Sequence, residues 1–466
     1  LSVAMLATAS LCGCIDDTHV TLDKNSNEVR ARSVKINASQ CLKRDGEFTD
    51  CSSETAFNLQ RVKQLRGVIG APTSAIGSDA PADANAALNF GRLSPYWSRI
   101  PVGYGCAATM QGIFNKKNPT DADLDAISNY NLTALDKLIG KVRSNYAVVL
   151  WTAAYGLGDG STDCNYKPHT IAQDGKAVAE QQGSVISNAA KWAKAVRRIT
   201  KWYNRDLPAK NKETSSCKNP TNGIPNWDCS ASLFNIEFGR DPTGAGGFDD
   251  TTKSKWLDAY TQFATELRKE FPWPDNTVQL LGPSVVVKGE LDVQNDKAGT
   301  KRSWLYDFVD HVVAKKLSIS QLSFEIVAKS PVEAFNIVKK IRTYVDAKGL
   351  KNDNGQPIGL FIADLRLNPA ELPAGIREDQ ARFSAYEGSF WAASKILLQG
   401  MVEGATMGRV VRFPTADPGK ETADSIAEGA LDSNLMWFDD SSIKGAVKPG
   451  AWHSFWFNEG FLGDGG

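Results

Sequence analysis

Gln321-Leu-Ser-Phe-Glu-Ile-Val327 is followed by a stretch that carries Phe335, Val338, Ile341 and Val345 at helical spacing, and then by Ile358-Gly-Leu-Phe-Ile362. The outer two segments are apolar runs of strand length, whereas the middle one repeats its apolar residues in steps of three and four. A strand, an amphipathic helix and a second strand in this order make a βαβ unit. Two strands joined in this way lie parallel, because a parallel pair needs a crossover long enough to hold a helix.

The same alternation extends in both directions. Strand-like runs fall at 65–69, 146–151, 233–238, 278–281, 321–327, 358–362 and 409–413, with a weaker one at 99–102. Between them run the stripes Leu135/Leu138/Ile139/Val142, Trp192/Val196/Ile199/Tyr203, Trp256/Tyr260/Phe263/Leu267 and Phe383/Tyr386/Phe390/Leu397. Each stripe is read as the core-facing side of a helix. Eight strands alternating with helices predict an α/β fold, a (β/α)8 TIM barrel over 65–460. No internal repeat accompanies the alternation.

Residues 15–64 are polar and aperiodic, and are read as a tether and a disulfide-clipped segment ahead of the barrel. Before them, 1–14 form an apolar run of signal-peptide length, too short to span a bilayer, whose charged leader is expected upstream. Its end, Leu11-Cys12-Gly13-Cys14, resembles a bacterial lipobox, which would make Cys14 the lipid-bearing residue. The expected location is therefore the bacterial cell envelope, held by a lipid anchor, or, with an ordinary cleaved signal, outside the cell.

Six further cysteines fit an oxidising compartment: Cys41, Cys51, Cys106, Cys164, Cys217 and Cys229. The close pairs Cys41/Cys51 and Cys217/Cys229 would clip local loops, leaving Cys106 and Cys164 as a third candidate bridge. A metal site is not expected, since no CxxC occurs among the six and the four histidines do not cluster at ligand spacing. Lysine plus arginine equals aspartate plus glutamate at 53 each. Such balance gives no global field for nucleic acid or an anionic membrane surface, so the partner is read as neutral and any membrane contact as the anchor alone.

Leu233-Phe-Asn-Ile-Glu-Phe-Gly-Arg-Asp-Pro242, with Gly246-Gly-Phe248, the 256–260 helix and Leu281-Gly-Pro283 downstream, resembles the fourth-strand region of glycoside hydrolase family 39. That family includes β-xylosidases and α-L-iduronidases. Asp121-Ala-Asp123, Asn129-Tyr-Asn131 and Asp136 are similar to its Asp-rich turn and following helix start. Val345-Asp-Ala-Lys-Gly-Leu350, Phe361-Ile-Ala-Asp-Leu-Arg-Leu-Asn-Pro369, Leu397-Leu-Gln399 and Lys448-Pro-Gly-Ala-Trp-His-Ser-Phe455 continue the likeness in the same order.

The resemblance implies a barrel that acts on O-glycosidic bonds with two carboxylates, one to protonate the leaving oxygen and one to attack or to activate water. By position these are Asp241 and Asp364, where the family has Glu. Two carboxylates suffice, so neither a metal nor an organic cofactor is expected. Each shorter side chain would move a retaining separation of about 5–5.5 Å towards the inverting range of about 6.5–9.5 Å. Arg240 stands where the family has Asn, and is read either as an ion-pair partner of Asp241 or as a group that binds an anionic part of the ligand.

Two more family positions differ: the His of the sixth strand is Glu325, and the Arg of the third strand is Thr152. Glu325 is read either as a replacement carboxylate or as a core glutamate satisfied by a neighbouring Lys or Arg. Glu237, four residues before Asp241, shares its strand face and is read as part of a polar layer beneath the site. Trp97, Trp151, Tyr155, Trp227 and Trp437 are candidates for stacking on sugar rings. His169 is read as a surface residue of a loop.

Three readings follow. The first is an exported lipoprotein that hydrolyses a glycoside through Asp241 and Asp364. The second is an inactive barrel that binds a glycan or a protein. The third relocates the chemistry to Glu325 or Glu237, and requires a second carboxyl within reach of either.

Overall fold

The computed structural model describes residues 40–42, 48–50, 65–69, 90, 93, 95–102, 120–130, 132–144, 148–153, 189–211, 233–239, 242, 249–273, 278–294, 302–368 and 380–409. Two short strands, β1 (Gln40–Leu42) and β2 (Phe48–Asp50), pair antiparallel as a sheet of their own, with Cys41 opposite Thr49. This hairpin lies in the segment read as an aperiodic preface. Cys14, Cys51, Cys106, Cys164, Cys217 and Cys229 fall outside the described residues, as do Tyr155, His169, Trp227, Trp437, Arg240 and Asp241.

Eight parallel strands close a barrel: β3 (Gly67–Ile69), β4 (Trp97–Val102), β5 (Val148–Ala153), β6 (Asn235–Phe238), β7 (Gln279–Lys288), β8 (Gln321–Ala328), β9 (Gly359–Leu367) and β10 (Gly404–Arg409). β10 pairs with β3 to complete the ring. The (β/α)8 barrel expected from the alternation is the fold. Closure depends on small residues: a Cβ on Gly67 would stand 2.3 Å from the Ala405 carbonyl oxygen, and one on Gly404 would stand 2.6 Å from the Phe361 ring.

Helices cover the barrel, among them α1 (Asp121–Asp125), α2 (Thr133–Ser144), α3 (Ala189–Lys201), α4 (Leu207–Asn211), α5 (Lys253–Glu270), α6 (Trp304–Lys315), α7 (Pro331–Ala347) and α8 (Gln380–Leu398). The stripes foretold α2, α3, α5, α7 and α8, whereas α1, α4 and α6 had no stripe to announce them. Ser330 caps α7 by accepting from the Glu333 amide, and Pro331 occupies the first turn, where a missing N–H costs nothing. Trp256, Tyr260, Phe263 and Leu267 are fully buried, as are Trp192, Val196, Ile199 and Tyr203. In α8 Phe390 of the expected stripe is in the core beside Trp391, whereas at its end Leu398 is buried and Leu397 half-buried.

An aromatic cluster fixes the fourth strand against these helices. Phe238 meets Trp192 at 5.7 Å, Tyr260 at 5.1 Å and Phe263 at 5.4 Å between ring centroids. Such contacts add about 0.5–1.5 kcal/mol each beyond burial. They hold β6 up to the residue before Gly239, one position short of Arg240.

Three strands depart furthest from their expected bounds. β7 runs seven residues past Leu281, through Gly282 and Pro283 and an irregular stretch of the ladder. β9 likewise continues through Asp364 to Leu367. β10 lies earlier than 409–413, on Gly404-Ala-Thr-Met-Gly-Arg409, where the tight closure demands a small residue at Gly404.

Lys395, on the inner side of α8, is fully buried. Burial, reinforced by repulsion from Arg66, pulls its ammonium down to about 7 from an ordinary 10.5. Between these two values the unfolded chain binds a proton that the folded chain does not. Stability should therefore rise with pH across that window, by up to about 1.4 kcal/mol per pH unit. Denaturant midpoints at pH 7 and pH 9 test this: the increase should vanish in Lys395→Met, and an equal increase in both proteins would assign it elsewhere.

Candidate active site

Side chains alternate between the barrel interior and the helix layer, so each strand contributes every second residue to the axis. Trp97, Leu150, Leu281, Phe361 and Ala363 form an inner apolar cluster separate from the main core. It is the floor of the barrel. Trp97 packs edge-on to Phe361 at 5.4 Å within it, so its ring serves the floor rather than a mouth where sugars would stack.

Towards the C-terminal ends of the strands the interior becomes charged. Arg99 of β4 is 2% exposed and reaches across the axis. Its Nε donates to Glu237 Oε2 at 2.8 Å and to Thr152 Oγ1 at 3.1 Å, its Nη1 to Glu325 Oε1 at 2.9 Å and to the Ala363 carbonyl at 3.2 Å, and its Nη2 to Ser284 Oγ at 2.6 Å. Six strands thus meet on one guanidinium. Burial by itself lowers an arginine's pKa, but attraction from Glu237, Glu325 and Asp364 outweighs it and holds Arg99 above its ordinary range.

Two irregularities in the sheet aim the remaining groups. On β7, Pro283 pairs with Ser323 and Val285 with Phe324, leaving Ser284 as an extra residue with φ of 56°. On β9, Ile362 pairs with Phe324 and Asp364 with Glu325, leaving Ala363 over. A bulge of this kind turns the following side chain, here placing Asp364 directly opposite Glu325 inside the barrel. Arg366, two residues on and facing the same way, touches both: its Nη2 lies 3.1 Å from Glu325 Oε2 and its Nε 3.3 Å from Asp364 Oδ2. The Ala363 carbonyl also accepts from Thr406 Oγ1 of β10.

Of the residues singled out in the sequence, Glu237, Glu325 and Asp364 come together here. Glu237 lies in the polar layer expected of it, and also accepts from Thr152 Oγ1 at 2.6 Å. Glu325 is a core glutamate satisfied by arginines, and the second carboxyl that the relocated chemistry requires is present as Asp364.

Trp151 is a correction. Its neighbours Leu150 and Thr152 face the axis, so Trp151 faces the helices and is fully buried in the main core. It cannot line a substrate cleft from that layer.

Arg99 is the residue that the sequence reading did not assign. The resemblance expects an arginine on the third strand, where Thr152 stands. In the structure a guanidinium arrives at that place from the second strand and is hydrogen-bonded to Thr152 itself. A short strand with one arginine at an inward position was the available signal, diluted by Ser98 and Pro101.

Among the described residues, no group of three or more His, Cys, Asp or Glu is arranged to hold a metal ion. Nor is any described helix long and apolar enough to cross a membrane.

The molecule is a closed eight-stranded parallel barrel with carboxylates at the C-terminal ends of its fourth, sixth and seventh strands. The fold is similar to that of a glucosidase from Croceicoccus marinus, with a TM-score of 0.50 and 16% identity over 85% of this chain and 66% of that one. It is equally similar to a GH39 enzyme from Xanthomonas axonopodis pv. citri, with a TM-score of 0.50 and 12% identity over 86% of this chain and 66% of that one. The chain thus spans just under two thirds of the length of either structure. The likeness expected from the sequence is present in the fold, and the low identity marks a divergent chain. The sequence matches no protein-family model and no curated protein.

Removing the central guanidinium should be costly, because it takes from Glu237 its guanidinium partner and from Glu325 one of its two arginines. Arg99→Met is expected to lose about 3–5 kcal/mol at neutral pH. Urea denaturation at pH 7 measures the loss, and one below about 1 kcal/mol would show that the layer does not depend on Arg99.

Proposed function

We propose that the chain processes a carbohydrate by cleaving an O-glycosidic bond at the C-terminal mouth of the barrel, with Asp364 and Asp241 as its two carboxylates. The observation that carries this reading is the position of Asp364. It lies inside the barrel on the seventh strand, turned inward by a bulge and placed opposite Glu325. Active sites of such barrels are assembled from residues at the C-terminal ends of several strands.

In this reading Asp241, two residues beyond the Phe238–Gly239 end of the fourth strand, protonates the leaving oxygen. Asp364 either attacks the anomeric carbon or takes a proton from the water that does so; their separation selects between the two. Arg240 would sit beside the acid.

A second reading, a glycan-binding barrel without turnover, is favoured by one observation: Asp364 is only 1% exposed and shares Arg366 with Glu325. Purified protein lacking the first fourteen residues, offered a panel of activated aryl glycosides, distinguishes the two. Hydrolysis by the wild type that falls at least about 10³-fold in both Asp241→Ala and Asp364→Ala establishes the first. Glycan binding without turnover establishes the second, and turnover surviving both substitutions removes these residues from the chemistry.

The lipobox-like Leu11-Cys12-Gly13-Cys14 supports export and lipid anchoring through Cys14 as part of the same proposal. Expressed in a bacterium with its leader intact, the protein should incorporate labelled palmitate and partition with membranes. Cys14→Ser should do neither; label retained in that variant would place the anchor at another residue.

A further inference from the structure

We infer that Glu325 is a positioning residue for Asp364, acting through the guanidinium of Arg366 that the two carboxylates share; this rests on the reading of Asp364 as a catalytic carboxylate. A guanidinium facing a single carboxylate tends to close on it as a two-pronged fork, with both bonds near 2.7–2.9 Å. A carboxylate held in that way has both oxygens occupied and is poorly placed to attack carbon or take a proton from water.

Here Glu325 competes for the fork. Arg366 donates from Nη2 to Glu325 Oε2 at 3.1 Å, while its Nε stands at ion-pair distance from Asp364 Oδ2, at 3.3 Å. The guanidinium is divided between its neighbours.

Glu325 is fit for this task because it is itself immobilised from the other side. Arg99 holds Oε1 at 2.9 Å, and Ser284 Oγ stands 3.4 Å from the same oxygen. Arg99 in turn is fixed by Glu237, Thr152 and the Ala363 carbonyl, the last belonging to the residue before Asp364. The chain of contacts therefore begins on the second strand, collects the third, fourth and fifth, and ends by setting where Arg366 can lie. The bulge at Ala363 brings Asp364 level with Glu325, so the same feature that aims Asp364 also creates the competition. An uncharged isostere would keep the bond to Arg99 but pull less strongly on Arg366.

The test compares Glu325→Gln, Glu325→Asp and Arg366→Lys with the wild type, with Asp364→Asn as the control for the parent reading. On the aryl glycoside the wild type cleaves, Glu325→Gln should lower kcat by about 10²-fold with KM nearly unchanged, since only the placement of the reacting group is lost. Glu325→Asp, which keeps the charge, should recover part of that loss. Arg366→Lys, whose ammonium cannot span both carboxylates, should lose kcat in the same manner; it and Glu325→Asp carry the test if Glu325→Gln does not fold.

A crystal structure of Glu325→Gln should show Arg366 swung onto both oxygens of Asp364. Unchanged kcat in Glu325→Gln, or Arg366 in its original place, overturns the inference. Full turnover in Asp364→Asn, or none in the wild type, removes the catalytic reading instead, and the position of Arg366 in the variant crystal then decides the inference alone.

Discussion

A guanidinium cannot be left by itself in the middle of a barrel, and the upper interior of this molecule is organised around that constraint. Taking Arg99 out of water costs several kcal/mol even after relaxation, and only well-aimed counter-charges and hydrogen bonds return it. Glu237 and Glu325 supply the charge, while Thr152, Ser284 and the Ala363 carbonyl take the remaining donors. Because these partners come from different strands, the pairing sets the relative heights of the strands as well as the charge state. Such a cluster is weak evidence for stability, since an apolar filling of equal volume would often do as well. Its value lies in specifying where each carboxylate stands.

The contrast with the floor makes the point. Below Arg99 the interior is closed by Trp97, Leu150, Leu281 and Phe361, residues that need only fill space. Above them the barrel could have continued in the same manner, and the strands are apolar enough to allow it. Instead three carboxylates and two arginines are placed within one layer, at the end of the barrel where chemistry is expected. Polar groups buried at this cost, in one layer and at one end, mark a site more sharply than any single residue does.

Much of the fold was legible in the sequence because burial on two faces leaves short apolar strands and burial on one face leaves helical stripes. Glu237 and Glu325 could be assigned to the interior for the same reason: each interrupts an apolar run at an inward position, so its charge had to be met inside. Their partner was harder to find. β4 is read from Tyr-Trp-Ser-Arg-Ile-Pro-Val, where serine, arginine and proline dilute the strand signal and only its pairing with β3 and β5 restores it. The bulges at Ser284 and Ala363 are properties of the ladder between two strands, and neither strand's own sequence records them. Trp151 failed for a simple reason of parity: strand ends can be guessed from composition, but which side a tryptophan faces requires the register.

The resemblance read in the sequence would put an arginine where Thr152 stands, and the structure brings a guanidinium to that place by another route. An arginine side chain is long enough to cross to the next strand, so the charge is supplied from β4 while Thr152 offers a hydrogen-bonding oxygen. The same crossing accounts for Glu325. With the guanidinium entering from the second strand, its Nη1 ends beside the sixth, where a histidine would be repelled if protonated and a glutamate is attracted. Thr152, Arg99 and Glu325 therefore form one set, in which the arginine, its two glutamates and the bulge beside Asp364 fit one another.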